Sequence, residues 1–157
     1  MDQFTHESRG GDARKYSSLG WICIFFGLLM LFSQGCTSKI SQEDETAAVD
    51  AARAWLTLMD AEQYAAGWQA AAAFLKESVT EDKWVETMAI VRKPMGSPLS
   101  RKVESTKYRT MRPHALKGHY LIIKYKTSFA NKPQVEESLT MMKEADGTWR
   151  VGGYHLE

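Results

Sequence analysis

The chain has 157 residues, with 20 Lys and Arg against 19 Asp and Glu, and only two cysteines. A length in this range suits one domain behind a short leader, and a net charge of +1 singles out no partner. Because Cys23 falls inside an apolar run, the rest of the chain has no pair of thiols for a disulfide scaffold, and burial alone must stabilise it.

The apolar run spans Leu19 to Phe32, preceded by Arg9, Arg14 and Lys15 and followed by Ser33-Gln34-Gly35-Cys36. A positive start, an apolar core of about 7 to 15 residues and a small-residue exit are the parts of an export signal. A membrane-crossing helix needs roughly 20 apolar residues, so residues 1–36 read as a signal peptide, with an uncleaved membrane anchor as the alternative. Gly35-Cys36 after such a run resembles the lipobox of bacterial lipoproteins, which implies lipidation at Cys36 and a tether to the membrane. The expected location is then the periplasmic side of a bacterial cell envelope, where nucleic acid is not an available partner. Residues 37–45 read as a linker and 46–157 as a single domain.

Helices are expected first. From Thr46 to Met59, apolar residues at Val49, Ala52, Leu56 and Met59 recur at helical spacing, widened by Trp55 and Leu58. Gln63 to Val79 reads as a second, alanine-rich helix with a weak point near Gly67. Thr80 followed by Glu81 and Asp82 predicts the cap and first turn of a third, Glu81 to Val91. Pro94, Gly96 and Pro98 stop helical structure. Thereafter the period becomes 2, with four strands at Arg101 to Met111, Gly118 to Ala130, Val135 to Glu144 and Thr148 to Leu156. Asn131-Lys132-Pro133 and Asp146-Gly147 supply turns between them. Three helices packed on a four-stranded antiparallel meander make an α+β domain. Trp55, Trp68, Trp84 and Trp149 fall on the apolar stripes and the last strand, as core residues do.

Charge is segregated along this order. Arg92 to Lys132 holds eleven Lys and Arg against the single acid Glu104, whereas Ser41 to Val91 has ten acids against Arg53, Lys76 and Lys83. Either acidic helices neutralise a basic sheet, with strand lysines discouraging edge-to-edge pairing, or the basic segment faces an anionic envelope component.

Ala54-Trp55-Leu56 with Asp60, Tyr64, Gly67-Trp68, Trp84, Val91-Arg92 with Pro94 and Gly96, and Ser100-Arg101 form a recognisable pattern. It continues through Tyr125, Thr127-Ser128-Phe129, Val135-Glu136, Asp146-Gly147-Thr148-Trp149-Arg150-Val151 and Gly153-Tyr154. Together these residues resemble a bacterial domain-of-unknown-function family, number four thousand and nineteen. The order of elements is similar to the cystatin-like, or nuclear transport factor 2-like, cone, in which a curved sheet wraps a helix. That likeness implies a pocket, and in related cones an isomerase or dehydratase with a carboxylate or histidine base and a tyrosine donor. Glu137, His155 and Tyr125 are the candidates for such a role, set against the plainer readings of a charged strand edge, a chain terminus and a core ring.

Other chemistry has little to stand on. His114, His119 and His155 lack the helical spacing of a zinc motif, and no phosphate loop, nucleophile elbow or Cys-His pair is present, so no metal or cofactor is expected. Arg92 and Arg101 flank the Pro-Gly turn and either bond loop carbonyls and helix acids or anchor an anionic ligand. The expected role is a membrane-tethered binding or accessory domain. The alternatives are the cone enzyme and a structural homodimer formed through the open sheet face.

Overall fold

The computed structural model describes residues 39–111 and 118–157. The expected signal or anchor segment 1–36 with Cys36, and His114, lie outside the described residues.

Ser41 opens the first helix, α1 (Gln42–Asp60), by accepting the Asp44 N–H on its side-chain oxygen at 3.1 Å. Glu43, Asp44 and Glu45 fill the first turn, where the helix dipole favours acids. The helix thus takes in residues 42–45, which the apolar stripe leaves out because that turn is solvated. Ala48, Ala52, Trp55, Leu56 and Met59 form its buried face. The two alanines, without side chain beyond Cβ, let α1 lie close to the sheet.

The second predicted helix divides into α2 (Tyr64–Gln69) and α3 (Ala73–Ser78). Between them the Ala72 N–H donates to the Val151 carbonyl at 2.9 Å, so a strand edge takes a backbone group that a continuous helix would have used. Trp68 Nε1–H donates to the Val79 carbonyl at 2.9 Å and closes the segment. The third predicted helix is α4 (Glu81–Val91), capped by Thr80 and followed by a 3-10 turn at Lys93–Met95. Gly96, with φ of 75°, turns the chain into the sheet in a conformation that glycine adopts without a Cβ clash.

The sheet runs β1 (Pro98–Met111), β2 (Gly118–Phe129), β3 (Val135–Lys143) and β4 (Trp149–Leu156), paired antiparallel in the order β1-β2-β3-β4. The helices cover one face, where Leu121, Ile123, Tyr125, Leu139, Met141, Trp149 and Val151 pack with α1 and α4 in the main core. Each fully buried aliphatic side chain there contributes roughly 1.5–3 kcal/mol. The indoles bind as well as pack: Trp55 Nε1–H donates to the Gly67 carbonyl at 2.8 Å and Trp84 Nε1–H to the Tyr64 carbonyl at 3.1 Å. Met95, Phe129 and Val135 form a smaller cluster under the 3-10 turn.

Irregularities in register decide which residues face the helices. Between Val103 and Ser105 the β1 register shifts, so Arg101 and Val103 before it and Thr106 and Tyr108 after it share the inner face. A second shift, between Thr140 and Met141, leaves Gly152 of β4 out of the pairing. Val151 therefore points inward opposite Met141, and Tyr154 points inward opposite Leu139.

Candidate functional site

Asp60 is the last residue of α1, where the helix dipole disfavours an acid. Two guanidinium groups compensate. Arg101, on the inner face of β1, grips the carboxylate as a fork, with Nη1 donating to Oδ2 at 2.7 Å and Nη2 to Oδ1 at 2.8 Å. Arg92, the C-cap of α4, donates from Nη2 to the same Oδ1 and from Nη1 to the Gly96 carbonyl at 3.3 Å. Its guanidinium lies over the Phe129 ring, 4.2 Å from the centroid.

Arg101 also reaches Glu137 on β3, donating from Nε at 2.5 Å. That carboxylate is fully buried and accepts two further hydrogen bonds at 2.5 Å, from Thr127 Oγ1 on β2 and from Tyr154 Oη on β4. Two guanidiniums and two carboxylates thus form a neutral cluster tying α1, α4 and all four strands. Burial lowers the Arg101 pKa, but hydrogen bonds to Asp60 and Glu137 outweigh it and leave the group above its ordinary value. The Tyr154 phenol is pushed far above its usual range, first by burial and then by the Glu137 charge.

Of the candidates read from the sequence, Arg92, Arg101 and Glu137 meet in this cluster. Tyr125 stands opposite Glu137 in the β2–β3 ladder and is buried, with a hydroxyl that has no hydrogen-bond partner among the described residues. His155 does not join them. The Gly152 irregularity turns it to the opposite face, where it is exposed and contacts Glu157 at 3.1 Å. Asp60, Thr127 and Tyr154 were not singled out for chemistry, although all three belong to the pattern that carries the family resemblance. His119 pairs with Tyr108, and no group of three or more His, Cys, Asp and Glu among the described residues is placed to hold a metal ion. The Glu137 carboxylate is thus engaged by three donor side chains, those of Arg101, Thr127 and Tyr154.

The other face of the sheet is different. None of the described helices packs there, and β1 and β2 present Lys102, Lys107, Arg109, Lys124 and Lys126 on it. Lys124 donates to Glu136 at 2.5 Å, whereas Lys102, Lys107 and Lys126 make no ion pair with any described residue.

The domain defined by these observations is an α+β layer of helices on one face of an antiparallel sheet, pinned by a buried ion cluster. The family described as Protein of unknown function (DUF4019) matches residues 51–154, and the chain belongs to it. No curated protein and no solved structure matches the chain.

Proposed function

We propose that this domain is a non-catalytic binding or accessory module, held at the membrane of a bacterial cell envelope by its N-terminal segment and Cys36. The sheet face on which none of the described helices packs meets an anionic envelope component. The observation that carries this reading is the run of cations on β1 and β2 of which three lack an acidic partner among the described residues. Clustered cations on an open face raise the local concentration of anionic partners and hold them more weakly as salt rises. The finer fold reading is the nuclear transport factor 2-like cone, supported by α1 lying across an irregular, bulged sheet. An enzyme reading is disfavoured by the engaged Glu137 carboxylate and by the outward turn of His155.

The test is flotation of the full chain with phosphatidylglycerol vesicles and with phosphatidylcholine vesicles, each at low and at high salt. Capture of a Lys102→Gln/Lys107→Gln/Lys126→Gln variant should fall on the anionic vesicles and stay unchanged on the neutral ones. Equal capture of this variant and the wild type on anionic vesicles removes the reading. The tether is tested separately: radiolabelled palmitate should enter the wild type and not Cys36→Ser.

A further inference from the structure

We infer that Ser100, Lys102, Lys126, Ser128 and Gln134 form a discrete binding site for a phosphate ester; this rests on the proposal that the sheet's open face is anion-binding and gives it an address. These residues, with Val103, Glu104 and Thr127, border an open concavity of about 370 Å³ on β1 and β2. The ladder makes the arrangement regular, because Ser100 stands opposite Ser128 and Lys102 opposite Lys126. Two ammonium groups and two hydroxyls therefore project from four neighbouring positions of one strand pair. A phosphate ester offers several acceptor oxygens and a negative charge, which suits donors converging from more than one side.

Three observations set this cluster apart from an ordinary solvated strand surface. Like charges directly opposite each other destabilise a sheet, and Lys102 and Lys126 are such a pair. Protection of a sheet edge accounts for Lys102 on the edge strand but not for Lys126, which lies on the interior strand β2. The acid facing Lys126 across the β2–β3 ladder is Glu136, yet its carboxylate is taken diagonally by Lys124. Glu104 also borders the concavity, so the lysines outnumber the acids there by two to one.

The site also has a rigid backing. Between the serine pair and the lysine pair lies the pair Arg101 and Thr127, whose side chains point to the other face and are both bonded to Glu137. The buried cluster thus fixes the two strands on which the outer donors stand, which is what a preorganised binding site requires. Gln134 completes the rim from the β2–β3 turn, where a φ of 60° reverses the chain between the two strands.

Calorimetric titration of the full chain with glycerol 1-phosphate, alongside binding to phosphatidylglycerol vesicles, tests the inference. The expected loss is about tenfold in Lys102→Gln/Lys126→Gln, the scale of charged hydrogen bonds removed, against about twofold in Lys107→Gln/Arg109→Gln. Ser100→Ala/Ser128→Ala keeps every charge and should still weaken binding several-fold. The lysine variant should melt no lower than the wild type, since it relieves a repulsion. Binding of the soluble ester assigns a free phosphate ester as sufficient; binding to vesicles alone, with the same variant order, assigns the lipid headgroup. Equal losses in the two double variants overturn the site and leave the open-face reading standing. A wild type that binds neither probe overturns both.

Discussion

Glu137 and Arg101 show how one buried ion pair can hold several elements. Removing one partner of such a pair leaves an uncompensated charge in low dielectric and costs about 3–5 kcal/mol, whereas replacing both by apolar groups is often close to neutral. Arg101→Met and Glu137→Leu are therefore each expected to lower stability by roughly that amount, and the double variant by clearly less than the sum, measured by urea unfolding. Additive losses would show that the two side chains act separately. Tyr154 adds a dependence on pH. Its folded pKa is raised, by burial first and the Glu137 charge second, above the value of about 10 expected in the unfolded chain. The stabilisation is thus complete below about pH 10 and is lost above it, as the unfolded chain releases a proton that the folded chain keeps. Burial raises Tyr64, Tyr120 and Tyr125 in the same direction. Tyrosinate absorbance should therefore rise for these residues together with loss of circular dichroism. Ionisation of all six tyrosines near pH 10 in a chain that stays folded would refute this.

At the scale of elements, α1 and α2 approach closely at Gly67. A Cβ on Gly67 would lie 2.1 Å from Met59 Cε, and the Gly67 carbonyl already accepts Trp55 Nε1–H. Gly67→Ala should destabilise the fold by about 1–2 kcal/mol, overpacking outweighing the gain of about 1 kcal/mol in helix propensity. Shortening the neighbour, in Gly67→Ala/Met59→Val, should recover part of that loss in the urea midpoint. The elements themselves were largely legible, because the switch from a 3.6 to a 2 period at Pro94, Gly96 and Pro98 is local information. The place where the second helix divides was not: the weak point expected near Gly67 lies inside α2, and the break falls between Gln69 and Ala73. Its alanines favour helix throughout, and the break comes from Val151, far along the chain. Arg92, Arg101 and Glu137 could be picked out as candidates, but their partners depended on register. The outward turn of His155 has the same origin, for Gly152-Gly153 marks an irregularity whose effect on parity appears only when the ladder is formed.

For the described domain as a whole, the acidic helices and basic strands only partly neutralise each other. Lys143 reaches Asp44 at 2.6 Å, and Arg92 and Arg101 reach Asp60, but those contacts all lie on the helical side of the sheet. On the other side Lys124 pairs with Glu136, but Lys102, Lys107 and Lys126 look away from the acids that would have balanced them. Screening should therefore alter folding stability little and ligand capture strongly; a melting temperature that falls between low and high salt by as much as capture does would contradict this division. The two margins of the sheet are also unequal. A single backbone bond, from the Ala72 N–H to the Val151 carbonyl, caps part of the outer rim of β4, while the far rim of β1 pairs with none of the described residues. Among the described residues, the β1 rim is therefore the more open margin for strand addition. Two copies joined along it would turn only their partly capped β4 rims outward, which favours a closed pair over a growing fibre.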